Sequence, residues 1–334
     1  MTTLKICKLH FTAPLHIGDV KANDYGTSLK TLASDTMYAA LTASLAKLGT
    51  AIPDDGELGF TISSLFPFYQ QGHDTPPVCF FPQPMRTHMP QLKDIDNRKK
   101  TKKVKWLDAS YFERVLAGET LFNDSDEDIK HIHGEYLTRS QIPADFMQSQ
   151  VVQRVRIPSR TGEEDAEPYY VDNIRFQGFS GLYFIVVGDT ALLDKALALL
   201  SLEGIGSDRN VGYGLFEYHY DNIVLNLPST TDHAVSLSLL IPESQDHFNA
   251  LTGSEHVAYD IERRGGWITT YPFRSLRKNV IYGFTAGSVF HESSIAEPKI
   301  AGRIVNLRPN VSFTEEKLHP IWRSGKSILL PIIV

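Results

Sequence analysis

The sequence predicts an α+β fold whose first half runs strand, helix, strand, strand, helix, strand. That is the order of a ferredoxin-like or RRM-like domain, here interrupted by a β-hairpin. Three observations predict it. Residues 4–12 alternate apolar and polar side chains, as a strand does. Residues 29–48 set Leu29, Leu32, Met37, Leu41, Leu45 and Leu48 on one stripe, as an amphipathic helix does. Residues 181–188 read as a buried strand that leads through the helical stretch 191–200 into a further strand at 215–220.

In chain order, the first strand sets Leu4, Ile6 and Leu9 or Phe11 against Lys5, Lys8 and His10, and ends at Ala13-Pro14. Ser34-Asp35-Thr36 lies early in the following helix, where helix capping is the simplest role. Residues 60–68 are apolar and lead to Val78-Cys79-Phe80-Phe81, a strand ending at Pro82. Between Arg86 and Lys105 the basic residues, Lys102 and Lys103 among them, face only Asp94 and Asp96. Such a cluster is an electrostatic footprint for phosphate, or else a solvated loop. Residues 106–117 predict a short helix with Phe112, Val115 and Leu116 inward; residues 123–128 form an acidic loop that repels nucleic acid.

Gln153-Arg154-Val155-Arg156-Ile157 and the return stretch 168–176 predict a long hairpin around a turn-rich tip that holds Arg160. Basic and aromatic side chains on such a hairpin suit stacking against single-stranded RNA. A boundary falls at 222–233, dividing the chain into domains 1–228 and 229–334. The second half carries strand signals with few long helices. It includes Arg263-Arg264-Gly265-Gly266-Trp267, then Arg274, Arg277 and Lys278 before a strand at 279–284, and an apolar final strand at 328–334.

The densest motif is Gly204-Ile205-Gly206-Ser207-Asp208-Arg209-Asn210-Val211-Gly212-Tyr213-Gly214. Glycines at Gly204, Gly206, Gly212 and Gly214 permit positive φ, and amides turned to one side make an anion-binding concavity beside the Arg209 guanidinium. The loop follows a helix and precedes a strand. A P-loop or dinucleotide fingerprint needs the opposite order, so nucleotide-enzyme chemistry is excluded.

Length and composition set the remaining limits. The 334 residues suggest about two domains. The formal charge of −6 means that any RNA surface is local. Cys7 and Cys79 make neither a disulfide framework nor a zinc site. The start shows no signal-peptide pattern, and no apolar run nears the roughly 18 residues of a membrane span. A cytoplasmic protein that binds no membrane is expected. No cofactor, serine elbow or CxxC is seen, and His131, His133 and Glu135 beside the acidic loop read as solvated rather than metal-ligating.

The glycine loop between helix and strand resembles the signature of the RAMP proteins of CRISPR systems. The opening Leu15-His16-Ile17-Gly18, Ser34-Asp35-Thr36-Met37, Arg156 to Gly162 with Tyr169-Tyr170, Gly265-Gly266-Trp267, Gly287-Ser288-Val289-Phe290 and His319-Pro320-Ile321-Trp322-Arg323-Ser324-Gly325 fit as an ordered set. Together they are most similar to the fourth-subunit family of the Csm, type III-A, effector complexes. The resemblance implies two ferredoxin-like domains, the second degenerate, and a protruding thumb hairpin. It implies a non-catalytic subunit that holds the 5′ handle of the crRNA and caps the filament. The implied neighbours are the large polymerase-like Csm subunit and a backbone Csm RAMP subunit. It places RNA contacts at His16, Arg154, Arg156, Arg160, Gly204, Gly206, Arg209, Gly212 and Gly214, with no metal. The alternative is a metal-independent RNA endonuclease of the same fold, using His10, His16 and Tyr38 or Tyr213 as acid and base. Family backbone subunits cut target RNA with an aspartate near the first helix; Asp35 is expected to be structural instead.

Overall fold

The computed structural model describes residues 1–18, 26–85, 94–122, 127–143, 145–156, 167–310 and 318–334. The first half begins with β1 (Thr2–Phe11), α1 (Ser34–Lys47), β2 (Phe60–Ile62), β3 (Phe66–Tyr69) and β4 (Val78–Pro82). Next come α2 (Ile95–Thr101), β5 (Trp106–Asp108), α3 (Ala109–Leu116), β6 (Ile132–His133) and β7 (Tyr136–Leu137). The ribbon β8 (Met147–Arg156) and β9 (Glu167–Phe176) precedes β10 (Gly181–Gly188), α4 (Ala191–Glu203) and β11 (Phe216–Leu225).

These strands form one sheet in the order β11-β1-β10-β3-β4-β5-β7-β6, with β2 also on β10. Neighbours β11, β1, β10 and β3 are all antiparallel. The stretch between β4 and β10 is therefore larger than a hairpin: β4, β5, β7 and β6 extend the sheet, and only β8 and β9 pair off as a separate ribbon. Residues 106–117 split at Asp108, whose side chain accepts from Tyr111 N–H and caps α3. Phe112, Val115 and Leu116 are buried as the periodicity predicts.

Both faces of the sheet are covered. Cys7 and Leu9 of β1, with Leu182 and Phe184 of β10, pack under α1 and α4. The alternate residues Leu4, Ile6, Tyr183 and Ile185 pack on α3 and on Val235, Leu237, Ile328 and Leu330 of the second half. This corrects the expectation of a polar face on β1. Lys8 is 8% exposed, paired with Asp221 at 2.9 Å and with Gln70 beside it, so first-half segments cover the side where solvent was expected. Cys7 and Cys79 are buried free thiols; burial pushes Cys79 up to about 12.

The second half comprises β12 (Thr231–Ser236), α5 (Gln245–Thr252), β13 (Ile261–Arg264), β14 (Ile281–Phe284), β15 (Val289–Ile295), β16 (Lys299–Ala301), β17 (Ile304–Asn306), β18 (Trp322–Ser324) and β19 (Ser327–Pro331). Four strands form a sheet in the order β15-β12-β19-β16, and β13-β14 and β17-β18 are separate ribbons. The apolar last strand, β19, sits inside this sheet.

The halves interlock at the start of α1. Ala33 is the N-cap and makes no side-chain cap. Ser34 Oγ instead accepts from Leu239 N–H at 2.9 Å, and Ser64 N–H donates to Leu237 O at 2.8 Å. Asp35 is fully buried, with Arg323 Nη1 3.2 Å from Oδ2 and Arg264 Nε 3.4 Å from Oδ1. Ser34-Asp35-Thr36 is thus a joint between halves and not a helix cap. The helix also starts five residues later than the stripe predicts: Leu29 is exposed, while Leu32 bridges to Leu65.

Candidate nucleic-acid interface

The glycine loop closes onto the segment it faces. Ile205 N–H donates to Gly214 O (3.0 Å), Ser207 N–H to His16 O (2.8 Å) and Gly214 N–H to Pro14 O (2.8 Å). This fit requires glycine. A Cβ on Gly206 would lie 2.3 Å from His16 O, and one on Gly214 would lie 1.9 Å from Ile205 O. Gly204 N–H ends α4 on Leu200 O, and Val211, Gly212 and Tyr213 donate back to Asp208 or Arg209. Most of the amides expected to cradle an anion are therefore bonded to carbonyls of the protein itself. The loop offers solvent the exposed Arg209, with Gly206 and Gly212 beside it.

The other expected residues divide. His16 is 1% exposed, and its Nδ1–H donates to Asp172 O at 2.6 Å. His16 thus braces β9, and it also lines the groove. Arg154 Nη1 donates to Asp208 Oδ2 at 2.9 Å, and its guanidinium lies over the Tyr213 ring at 4.7 Å. It fastens the ribbon to the glycine loop. Arg156 is described by its backbone alone, opposite Glu167, and Arg160 lies outside the described residues, as do Arg86 and Lys93. Lys102 and Lys103 are exposed just after α2, away from the glycine loop's groove.

That groove, of ≈ 870 Å³, runs between the halves. One wall is α1 with Ile205, Gly206 and Arg209; the other is Trp267, Tyr271, Arg274 and Lys278. Trp267 is 46% exposed with Arg277 4.6 Å over its ring, and Tyr271 is 79% exposed. The loop carrying them is held by Ile268 N–H to Leu276 O (3.0 Å) and Lys278 N–H to Gly266 O (2.9 Å). Lys47 is neutralised by Glu203 at 2.6 Å. Arg274 Nε donates to the Thr269 carbonyl, and among the described residues no carboxylate pairs with it.

The electrostatics beneath the groove favour an anion. The Asp35 carboxylate faces two guanidiniums, Arg264 and Arg323, and Arg264 also pairs with Glu262 at 2.7 Å. Burial, and then Arg323, hold Lys278 down to about 8 against the pull of Asp35. Burial likewise lowers Arg323. Asp35 and Glu262 balance Arg264 and Arg323, which leaves Lys278 as the surplus cation that a phosphate in the groove would offset.

The acid–base candidates do not converge there. His10 packs on Phe68 and His219, and burial, then His219 and Lys8, hold it down to about 4. Tyr38 is buried, its hydroxyl donating to Gly56 O (2.7 Å) and accepting from Leu58 N–H (3.1 Å). Tyr213 lies under Arg154. Glu135 is engaged by Lys30 (3.2 Å) and Lys105 (2.6 Å), and Tyr111 O–H lies 2.8 Å from His131 Nδ1.

Residues 229–332 match the family model of the CRISPR Csm4 C-terminal domain. A "CRISPR system Cms protein Csm4" of Streptococcus thermophilus is 24% identical over 294 residues, 85% of this chain and 86% of that one. The last third of the chain thus matches the Csm4 C-terminal domain, and most of its length is similar to a Csm4 protein. A Mycobacterium tuberculosis (strain H37Rv) relative of the same name is 33% identical over 134 residues, 39% of this chain and 43% of that one. Two solved structures share the fold. A Csm1-Csm4 cassette in complex with pppApA has TM-score 0.58 at 18% identity, over 100% of this chain and 99% of that one. A Csm3-Csm4 subcomplex of the type III-A CRISPR-Cas interference complex has TM-score 0.56 at 17% identity, over 100% of each chain.

The Csm4 C-terminal match contains Arg264, Trp267, Tyr271, Arg274, Lys278 and Arg323, so one whole wall of the groove belongs to it. Sequence reasoning assigned none of these to the site. The available signal was an exposed-type aromatic after Gly265-Gly266, followed by Arg274, Arg277 and Lys278. What no local pattern gave is that this loop faces the glycine loop. Among the described residues no helix is long and apolar enough to cross a membrane.

Proposed function

We propose that the groove holds single-stranded RNA, the 5′ handle of a crRNA, and that the chain is a non-catalytic subunit of a type III-A CRISPR effector complex. The observation that carries this reading is the pairing of two walls. Arg209 on one side and Arg274 and Lys278 on the other flank the exposed rings of Trp267 and Tyr271. Cations that follow a backbone, interleaved with aromatic platforms for bases, are what single-stranded RNA binding requires. The chain caps the backbone filament, with the large polymerase-like subunit on one side and a backbone RAMP subunit on the other. The solved relatives in complex with Csm1 and with Csm3 support that placement. We read the first half as ferredoxin-like, the second as a degenerate unit, and β8-β9 as the thumb, whose exposed Val151, Val155 and Tyr170 suit contact with RNA bases or a neighbouring subunit.

The test is anisotropy of a labelled handle RNA across a salt series, with the chain bound to its large partner subunit. Arg209→Ala with Arg274→Ala should weaken binding and lower the salt slope by about 1.4, at about 0.7 per phosphate contact on a single strand. An unchanged slope with intact assembly would move the RNA out of this groove. RNA cleavage by the isolated chain would overturn the non-catalytic reading.

A further inference from the structure

A second cluster of chemistry-bearing side chains, none of them in the groove's lining, lies on the sheet of the second half. His233 of β12 and His291 of β15 are direct cross-strand partners. They therefore share a face of the sheet, and their ring centroids are 5.6 Å apart. The register of this pair slips between Thr231 and His233. A bulge there lets Asp232 turn to the side of its neighbour, so that Asp232 Oδ1 lies 2.7 Å from His233 Nδ1. One donor atom of each of Asp232, His233 and His291 falls within 4.8 Å of the other two.

We propose that these three side chains bind a Zn²⁺-class divalent cation that staples β12 to β15. An aspartate–histidine hydrogen bond would explain Asp232 and His233 by themselves. It does not explain His291, whose Nδ1 is buried and has no hydrogen-bond partner. A buried polar atom left unpaired is costly, and a cation at the centre of the cluster satisfies it. Tetrahedral zinc sets its donors about 3.4 Å apart, so modest side-chain rotation closes the site. His233 is 4% exposed, and its Nε2 lies 3.1 Å from Ser254 Oγ. With Nε2–H donating to that hydroxyl, Nδ1 ligates by exchanging its hydrogen bond to Asp232 for the cation, with the hydroxyl as outer-shell support of the imidazole. Two imidazoles and one carboxylate favour zinc over calcium or magnesium, which prefer all-oxygen sites. The His256 ring, 5.9 Å from that of His233, stands beside the remaining position.

The test uses the full chain without an affinity tag, stripped with a chelator and titrated with Co²⁺ and with Zn²⁺. We expect visible Co²⁺ bands that saturate at a single equivalent, and a rise in melting temperature with Zn²⁺. Asp232→Asn and His291→Gln should each weaken binding at least about tenfold and remove the bands, whereas His73→Ala, an exposed histidine elsewhere, should leave both unchanged. Asp232 has a 69% exposed side chain, so its substitution tests ligation without disturbing the core. Absent bands, or bands and affinity unchanged in both variants, would overturn the site.

Discussion

Arg323 Nη1 lies 3.2 Å from Asp35 Oδ2, with the carboxylate fully buried and the arginine side chain 12% exposed. The same nitrogen reaches Asp35 O and Thr36 Oγ1, each at 3.2 Å. Residues 288 positions apart thus form one buried ionic joint between the halves.

Removing one partner of a buried pair leaves the other charge uncompensated. Asp35→Ala should therefore destabilise the chain by about 3–5 kcal/mol, read by urea unfolding. Once assembled, a complex with this variant should give an unchanged ladder of target-RNA cuts. Loss of a single cut position would reassign Asp35 to catalysis.

The glycine loop separates two kinds of glycine. Gly206→Ala drives a Cβ into the His16 carbonyl, whereas Gly212, at φ +87°, has nothing within 4 Å of a built Cβ. Gly206→Ala should cost more than about 2 kcal/mol and Gly212→Ala about 1 kcal/mol, the strain of a left-handed residue alone. Equal losses in thermal unfolding would mean that close backbone approach is not what selects Gly206.

Trp267 and Tyr271 are exposed without being needed for the core around Phe273. Trp267→Ala should lower handle-RNA affinity by about 1–3 kcal/mol, the range of a lost base stack, with little change in melting temperature. An affinity that stays the same would remove the stacking role.

Lys278 titrates near 8 in the free protein. A phosphate beside it favours the protonated form, so affinity should be flat below that pH and fall as pH rises through it. The drop between pH 7 and pH 9 should be about 3- to 10-fold and should vanish in Lys278→Arg. For stability the sign is opposite to that of a lysine gaining a partner. The unfolded chain holds this proton up to the ordinary lysine range, so the penalty for burying the charge is relieved as pH rises above about 8.

Local rules were enough for much of the first half. The alternation of β1, the stripe of α1, the apolar run of β10 and the helix–glycine loop–strand sequence each follow from neighbours in the chain. So did the ribbon β8-β9, through turn residues between alternating stretches. The glycines were legible as special positions, but their reason was not. Gly206 and Gly214 serve contacts with His16 and Ile205 more than an open nest of amides. Likewise Arg154 was legible as a basic residue on a hairpin, but its partner, Asp208, was not.

By itself the sequence determined which segments form strands and helices, that the family motifs occur in order, and that positive charge is local, because these depend on spacing and composition. Tertiary structure alone decided that Asp35 meets Arg264 and Arg323, that Lys8 is buried, that Trp267 to Lys278 face Arg209, and that His233 meets His291. Each of these is a contact between segments far apart along the chain. Such contacts come from strand pairing within each half and from burial of apolar surface between the halves, not from any local propensity.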